Sequence, residues 1–571
     1  MKFLGFPAVV LVLAASLTPA SETVGSDIRD RSRAAQPFEI KAKPYGPTVK
    51  DVELVKARIA RDRTLRSALA GTKSRLVGFE FLNAETDAAG TPPTLFRATY
   101  YNYASDVAVI AEGDFAGRLP IKVREERFDP NASPEEFEAA KQLIAAEGKL
   151  TTRGNVEFYE PMPPVSNLNG ERLVNIGVRN LDNGDNQIVG VSFKNNSVVS
   201  YENNAPPTAR AEAGAGCGVA NAGQGSTGAG VAGTLSLTAM EAGNPNPVWE
   251  MIVVRPSASS GGAFEGSGVE VRDVKYRGKS VLKRGHLPVL NVQYTSGCGP
   301  FRDWQYAEGY FQIPTTGVTF PAGPSGGFAQ IASPGIATTI VESGNDTGNF
   351  QGVAIYQQNV GGVNELVLVS ELNAGWYRYI MEWRFGYDGR IKPRYGFGSI
   401  ANSCVCIQRN HHAYWRFDFD IVQPNNKIFM MERGRRFQVP VETEGAFFRN
   451  YARNRSFLIQ NANGDEAYTI TPNLTDSSVT DALGNLTDTY GKGDFWLLRF
   501  QGSAASPGEL DDPNTNTSAN IDPWLTNESL VNQDIVIWYA AHQTRKDDAG
   551  FAPTSLTGQH VIGPELRPVR W

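Results

Sequence analysis

Two different periods of apolar and polar positions divide the chain. In "VKDVELVKARIARDRTLRSALA", Val52, Val55, Ile59, Leu65 and Leu69 recur at near-helical spacing, which predicts one buried helix face. The strand-like runs "RLVGFEFL", "TLFRATYYNY", "VAVIAEG" and "LPIKVREERF" follow. A second unit opens at "SPEEFEAAKQLIAAEG", with Ser133 placed to cap a helix, Pro134 in its first turn and acids at the positive end of its dipole. Its strands are "NVEFYEP", "ERLVNIGVRN" and "NQIVGVSFKNNSVVSYE". Helix-then-strands occurs twice, a weak internal repeat that predicts two small α+β domains over residues 46–128 and 129–204. Residues 205–234 offer almost nothing that packs and read as a Gly/Ala-rich linker. From 235 to 571 the chain is short strand-like runs and turns with hardly a helix pattern, which suits one large β-sandwich.

Within that last region, "ELNAGWYRYIMEWRF" (371–385) alternates cleanly. Side chains two apart share a face of a strand, so Tyr377, Tyr379, Met381 and Trp383 line one side and Trp376, Arg378, Ile380 and Glu382 the other. On spacing alone this is an aromatic sheet core with polar tips.

Composition narrows the picture. A chain of 571 residues implies two to four domains. Fifty-eight glycines and 34 prolines among β-type runs mark a turn-rich, mainly β protein. A net charge of −6 and the lack of a basic tract argue against nucleic acid as a partner. The opening "MKFLGFPAVVLVLAASLTPA" has one Lys, an apolar run from Phe3 to Leu17 and small residues before a cleavage point after Ala20. It reads as a secretory signal over 1–20, followed by a linker over 21–45. No later segment suits a membrane span, so a secreted or periplasmic protein is expected. Four cysteines, Cys217, Cys298, Cys404 and Cys406, allow one or two bridges. Sequons such as Asn131 and Asn454 would accept glycans in a eukaryotic secretory route. Cys404 and Cys406 also share a strand face just before His411, a spacing open to a mixed sulfur–nitrogen metal site.

Several segments, in order, carry a resemblance. They are "VWEMIVVRP", "GVEVRDVKYRGKSVLKRGHLPVLNVQYTSG", the run from Gly352 to Ile391, "RFDFDIVQPNNKIF", "FWLLRF", "NESLVNQDIVIWYAAHQTRKDD" and "LRPVRW". Together they resemble the copper- and topaquinone-dependent primary amine oxidases across most of the chain. The resemblance implies two small α+β domains before a large catalytic β-sandwich, a homodimer, and oxidative deamination of a small primary amine to aldehyde, ammonia and hydrogen peroxide. In that family copper and dioxygen convert a tyrosine to topaquinone, and an Asp base removes a proton from the amine adduct.

Carried over residue by residue, the resemblance puts the cofactor tyrosine at Tyr377, flanked by Trp376 and Tyr379. Asn373, Trp376 and Arg378 stand where the family's motif has Thr/Ser, Asn and Asp/Glu. The copper histidines fall on His411, its neighbour His412, and His542, with Arg409 at the other position of the family's His-x-His pair. Adjacent residues of a strand point to opposite faces, so His411 and His412 reach one ion only if a bulge turns them together. Glu308 and Asp303, in "FRDWQYAEGYFQI", are the candidate bases, and Tyr294 takes the place of an aromatic gate. Asp418, Asp420 and Asp534 match peripheral calcium ligands, an oxygen set that suits a hard cation. His286 and His560 match no motif and read as structural. The departures leave a second function open: a relative without topaquinone or tight copper that uses the old amine pocket for binding or for another reaction.

Overall fold

Local pattern sets the order of elements in the first 200 residues, and long-range pairing sets everything after. The computed structural model describes residues 37–47, 49–82, 92–127, 130, 132–149, 154–159, 171–180, 182, 186–200, 234–241, 243–256, 259–261, 264–265, 267–295, 301–303, 305, 328–330, 353–374, 377–399, 406–433, 437–474, 476, 489–491, 493–501, 520–545 and 561–571. The expected signal segment and the 205–233 part of the expected linker lie outside these residues.

Helices Val49–Ile59 and Arg63–Ala68 precede a four-stranded antiparallel meander, Ser74–Leu82, Leu95–Asn102, Val107–Asp114 and Lys122–Glu126. Val55, Ile59 and Leu65 are buried against Phe96 and Val109, which is the helical spacing seen in the sequence put to use. The second unit repeats the plan. Helix Pro134–Glu147 starts with a reciprocal capping box between Ser133 and Glu136 and ends on left-handed Gly148. It packs on strands Val156–Tyr159, Val174–Asn180, Asn186–Ser192 and Ser197–Ser200. Glu136 also takes the guanidinium of buried Arg172 and the hydroxyl of Tyr103, tying the two units together.

The remainder forms two large, almost wholly antiparallel sheets face to face. The ten-stranded sheet has at its centre Glu270–Tyr276, Lys279–Tyr294, Arg409–Phe419, Ile535–Arg545 and Phe495–Arg499, neighbours in that order. One edge of it is Phe38–Pro44, paired with Thr234–Glu241. This strand falls inside the expected linker. Phe38, Ile40 and Ala42 point into the core while Glu39 and Lys41 face solvent, an alternation too short to stand out before its partner is known. The opposing eleven-stranded sheet runs through Val353–Val360, Val363–Ala374, Tyr377–Gly386, Ile391–Ser399, Glu565–Arg570, Ala467–Thr471, Ser456–Asn461, Asn426–Glu432 and Phe437–Pro440. The fold is thus mainly β, a large sandwich preceded by two small α+β domains. No described helix is long and apolar enough to cross a membrane.

Two indoles bolt the sheets together. Trp383 Nε1 donates to the Val269 carbonyl at 2.8 Å, and Trp249 Nε1 to that of Gly386, also at 2.8 Å. Trp383 meets Phe417 edge-on with centroids 6.2 Å apart. Gly285 leaves it room, since a Cβ there would stand 2.8 Å from the Trp383 ring. Replacing Trp383 by Ala opens a cavity and orphans the Val269 carbonyl. The expected loss is about 3–5 kcal/mol, read as a lower urea midpoint.

Candidate functional site

The site lies between the sheets, where the Tyr377–Gly386 strand faces the Lys279–Tyr294 and Arg409–Phe419 strands. Tyr377 and Tyr379 are fully buried, on the face that alternation assigns them. Their rings stack with centroids 5.0 Å apart and planes 18° from parallel. The Tyr377 hydroxyl lies 2.6 Å from that of Tyr294. The Tyr379 hydroxyl donates to Asp303 Oδ2. One strand over, the Tyr395 hydroxyl donates to Gln305 Oε1 at 2.6 Å. Burial pushes the Asp303 carboxyl well above the usual carboxylate range, and the Tyr379 hydrogen bond only partly opposes it. Burial, and then the Asp303 charge, raise the Tyr379 phenol.

His411 closes the group, edge-on to Tyr377 at 5.0 Å and 4.4 Å from the Phe397 ring. The Arg409 guanidinium sits 5.4 Å from the centre of the Tyr377 ring, a cation–π distance.

The three histidines do not converge. The Arg409–Phe419 strand runs without a bulge against Ile535–Arg545, with His411 opposite Gln543 and His412 opposite His542. His411 therefore faces Tyr377, whereas His412 and His542 project from the other side of the sheet. There their Nδ1 atoms are 2.8 Å apart. His542 Nε2 lies 3.0 Å from the Gly493 carbonyl and 3.2 Å from Asp494 Oδ1. A proton on Nε2, which faces two acceptors, makes His542 Nδ1 the acceptor of a bond from His412. Among the described residues, the Arg409–Phe419 and Ile535–Arg545 strands offer the Tyr377 face one imidazole, a glutamine and a permanently charged guanidinium. That donor set does not fit copper, which needs convergent neutral nitrogens, and His411, expected to share one ion with His412 and His542, lies on the opposite side of the sheet from both. Cys406 is disulfide-bonded, so it supplies no thiolate to a mixed sulfur–nitrogen site.

Among the described residues, one group of carboxylates and imidazoles has the spacing to hold a metal: Asp418, Asp420 and Asp534, with ligand atoms within 4.8 Å of one another. Asp418 is the next-to-last residue of one strand, Asp420 follows its end, and Asp534 precedes the strand paired to it. Burial, and then the neighbouring carboxylates, push Asp420 up to about 7 and Asp534 up to about 8. Three crowded oxygen ligands suit calcium better than they suit each other.

The structure therefore brings Tyr294, Asp303, Tyr377, Tyr379 and His411 together, and gathers the three aspartates elsewhere. It sets His412 and His542 apart from both. Glu308 and Trp376 lie outside the described residues. Sequence reasoning missed Gln305 as a member of the group, although it stands two residues from Asp303, the spacing at which strand-like chain repeats a face.

The architecture is similar to that of several solved amine oxidases. A copper-containing benzylamine oxidase from Hansenula polymorpha is 12% identical with a TM-score of 0.52, over 96% of this chain and 96% of that one. An Aspergillus nidulans amine oxidase is 13% identical with a TM-score of 0.55, over 94% and 90%. The Pichia pastoris lysyl oxidase is 12% identical with a TM-score of 0.50, over 91% and 88%. The chain has the copper amine oxidase fold. No protein-family model matches it, and no curated protein sequence does.

The aspartate cluster has a signed pH dependence. Asp420 near 7 and Asp534 near 8 lie above the unfolded value of about 3.9. The stability they lend is complete below that value and is lost as pH rises through 7 to 8. Calcium binds the ionised carboxylates, so added calcium should raise the melting temperature more at pH 8 than at pH 5. Thermal melts with calcium or a chelator check this, and equal shifts at both pH values would count against a cation there.

Proposed function

We propose that this is an exported protein of the amine oxidase fold that holds a small primary amine at the Tyr379–Asp303 pair and runs no copper–topaquinone chemistry. One observation carries the reading: His411 and His412 leave the Arg409–Phe419 strand on opposite sides, and Arg409 brings a fixed positive charge to the Tyr377 face. The similar structures are named for benzylamine, amine and lysyl oxidation, which makes an amine the first ligand to test. Asp303 is suited to it. A buried carboxyl that binds an ammonium group gives up its own proton and gains an ion pair in a low-dielectric site. Tyr379 holds one carboxyl oxygen in place and leaves the other for the ligand. Tyr377, stacked on Tyr379 and bonded to Tyr294, acts here as an aromatic wall and a hydrogen-bonding phenol.

The retained contacts of Tyr377 with Tyr294 and His411 favour a second reading, the family's oxidative deamination with Tyr377 converted to topaquinone. One preparation separates the two. After incubation with copper in air, the peptide holding Tyr377 should keep the mass of unmodified tyrosine. The protein should show no visible quinone band, no phenylhydrazine adduct and no peroxide release from benzylamine. Stoichiometric copper with a phenylhydrazine-reactive quinone would establish the second reading instead.

Binding has its own signature. Calorimetry in two buffers of different ionisation enthalpy should show about one proton released per benzylamine bound wherever Asp303 starts protonated. Affinity should rise with pH as that carboxyl ionises. Asp303→Asn should weaken binding at least about tenfold, ~1.4 kcal/mol or more, and remove the proton release.

A further inference from the structure

Asp303 and Gln305 are both at least nine-tenths buried, and each keeps one polar atom without a hydrogen-bond partner, Asp303 Oδ1 and Gln305 Nε2. Buried polar groups are almost always paired, so two orphans two residues apart call for an explanation. Their other atoms are held firmly. Tyr379 occupies Asp303 Oδ2, and Tyr395 occupies Gln305 Oε1. The backbone is pinned on both sides, with the Asp303 amide donating to the Leu290 carbonyl at 2.9 Å and the Gly268 amide to the Gln305 carbonyl at 3.0 Å. The two orphan atoms are therefore not loose ends of mobile side chains. They are presented by a fixed frame, and the two tyrosines that hold them have ring centres 5.4 Å apart.

We infer that Gln305 Nε2 is the second anchor of the ligand site, and that the ligand is a primary amine carrying a carbonyl acceptor about four carbons from its nitrogen. The inference rests on the amine reading above and adds the ligand's far end. Asp303 Oδ1 takes the ammonium. The Gln305 amide, whose oxygen is already committed to Tyr395, has only N–H donors left and so selects an acceptor. The Cα atoms of residues two apart in extended chain are roughly 6.5 Å apart; that backbone spacing sets the scale of the ligand, and 5-aminopentanamide carries its amine nitrogen and carbonyl oxygen on the same scale. Tyr379 and Tyr395, with Phe397 beside Tyr395 at 5.4 Å, supply an apolar wall for the methylenes between. A water molecule bridging the two atoms is the competing occupant, and it carries no preference among amines.

The test is calorimetric titration of the full chain with 5-aminopentanamide and with pentylamine, which match in length and differ in the acceptor. The wild type should bind the amide about tenfold tighter, which corresponds to ~1.4 kcal/mol. In Gln305→Leu the ratio of the two affinities should fall to about one. Equal affinities in the wild type would overturn the Gln305 assignment and leave the amine reading standing, and so would a preference that survives in Gln305→Leu. Binding of neither amine would bring down the amine reading, and this inference with it. If the leucine variant does not fold, the wild-type ratio decides by itself.

Discussion

In extended chain, consecutive side chains leave on opposite sides, and the Arg409–Phe419 strand is buried on both. Each of its eleven residues is therefore committed to one of two interiors. Arg409, His411, Ala413, Trp415 and Phe417 belong to the space between the sheets. Asn410, His412, Tyr414 and Arg416 belong to the outer face, where Trp496, Trp538 and Ile521 cover Tyr414. A slip of one residue would trade His411 for His412 next to Tyr377, but it would also carry Trp415 and Phe417 out of the main core. Hydrophobic register thus decides which histidine the tyrosine sees. The chemistry of the site follows from packing that has nothing to do with chemistry.

That commitment has an electrostatic counterpart. The fold places ionisable groups in both interiors, and the two differ in how they are balanced. On the outer side, His542 has Asp494 beside it, and Asp494 also pairs with Arg449 at 2.9 Å. The hydrogen bond from His542, and then the Arg449 charge, keep the Asp494 carboxyl below its ordinary range despite burial. Between the sheets, Asp303 has a phenol for company and shifts the opposite way. Buried acids that are driven toward the neutral form recur at sites that bind or transform ligands, whereas compensated ones usually serve structure. The contrast separates the Tyr379–Asp303 pair from the histidine pair more sharply than residue identity does.

Much of this was legible in the sequence because it depends on short-range period. The two helix-then-strands units, the shared face of Tyr377 and Tyr379, and the divergence of His411 from His412 all follow from 3.6- and 2-residue repeats. What depends on register between distant strands was not. Nothing local says that residue 412 lies opposite 542, or that Tyr395 reaches Gln305. The same holds for Phe38–Pro44, whose partner begins almost two hundred residues downstream. The three aspartates were found by motif, but their mutual repulsion and raised acidities exist only once two strands bring them within 4.8 Å.

The position of the Glu565–Arg570 strand bears on how the molecule is assembled. It is no edge strand. It sits inside the eleven-stranded sheet, pairing with Ala467–Thr471 on one side and meeting Ile391–Ser399 through Ile391 on the other. During synthesis, the Tyr377-bearing half of that sheet and the half around residues 426–471 each wait with an unpaired border until residue 570 has emerged. Such borders invite pairing with other chains, and closures this distant in sequence are slow. From the time residue 471 is made, a nascent chain of this protein carries two unfinished halves of one sheet, and it depends on the Glu565–Arg570 strand to join them.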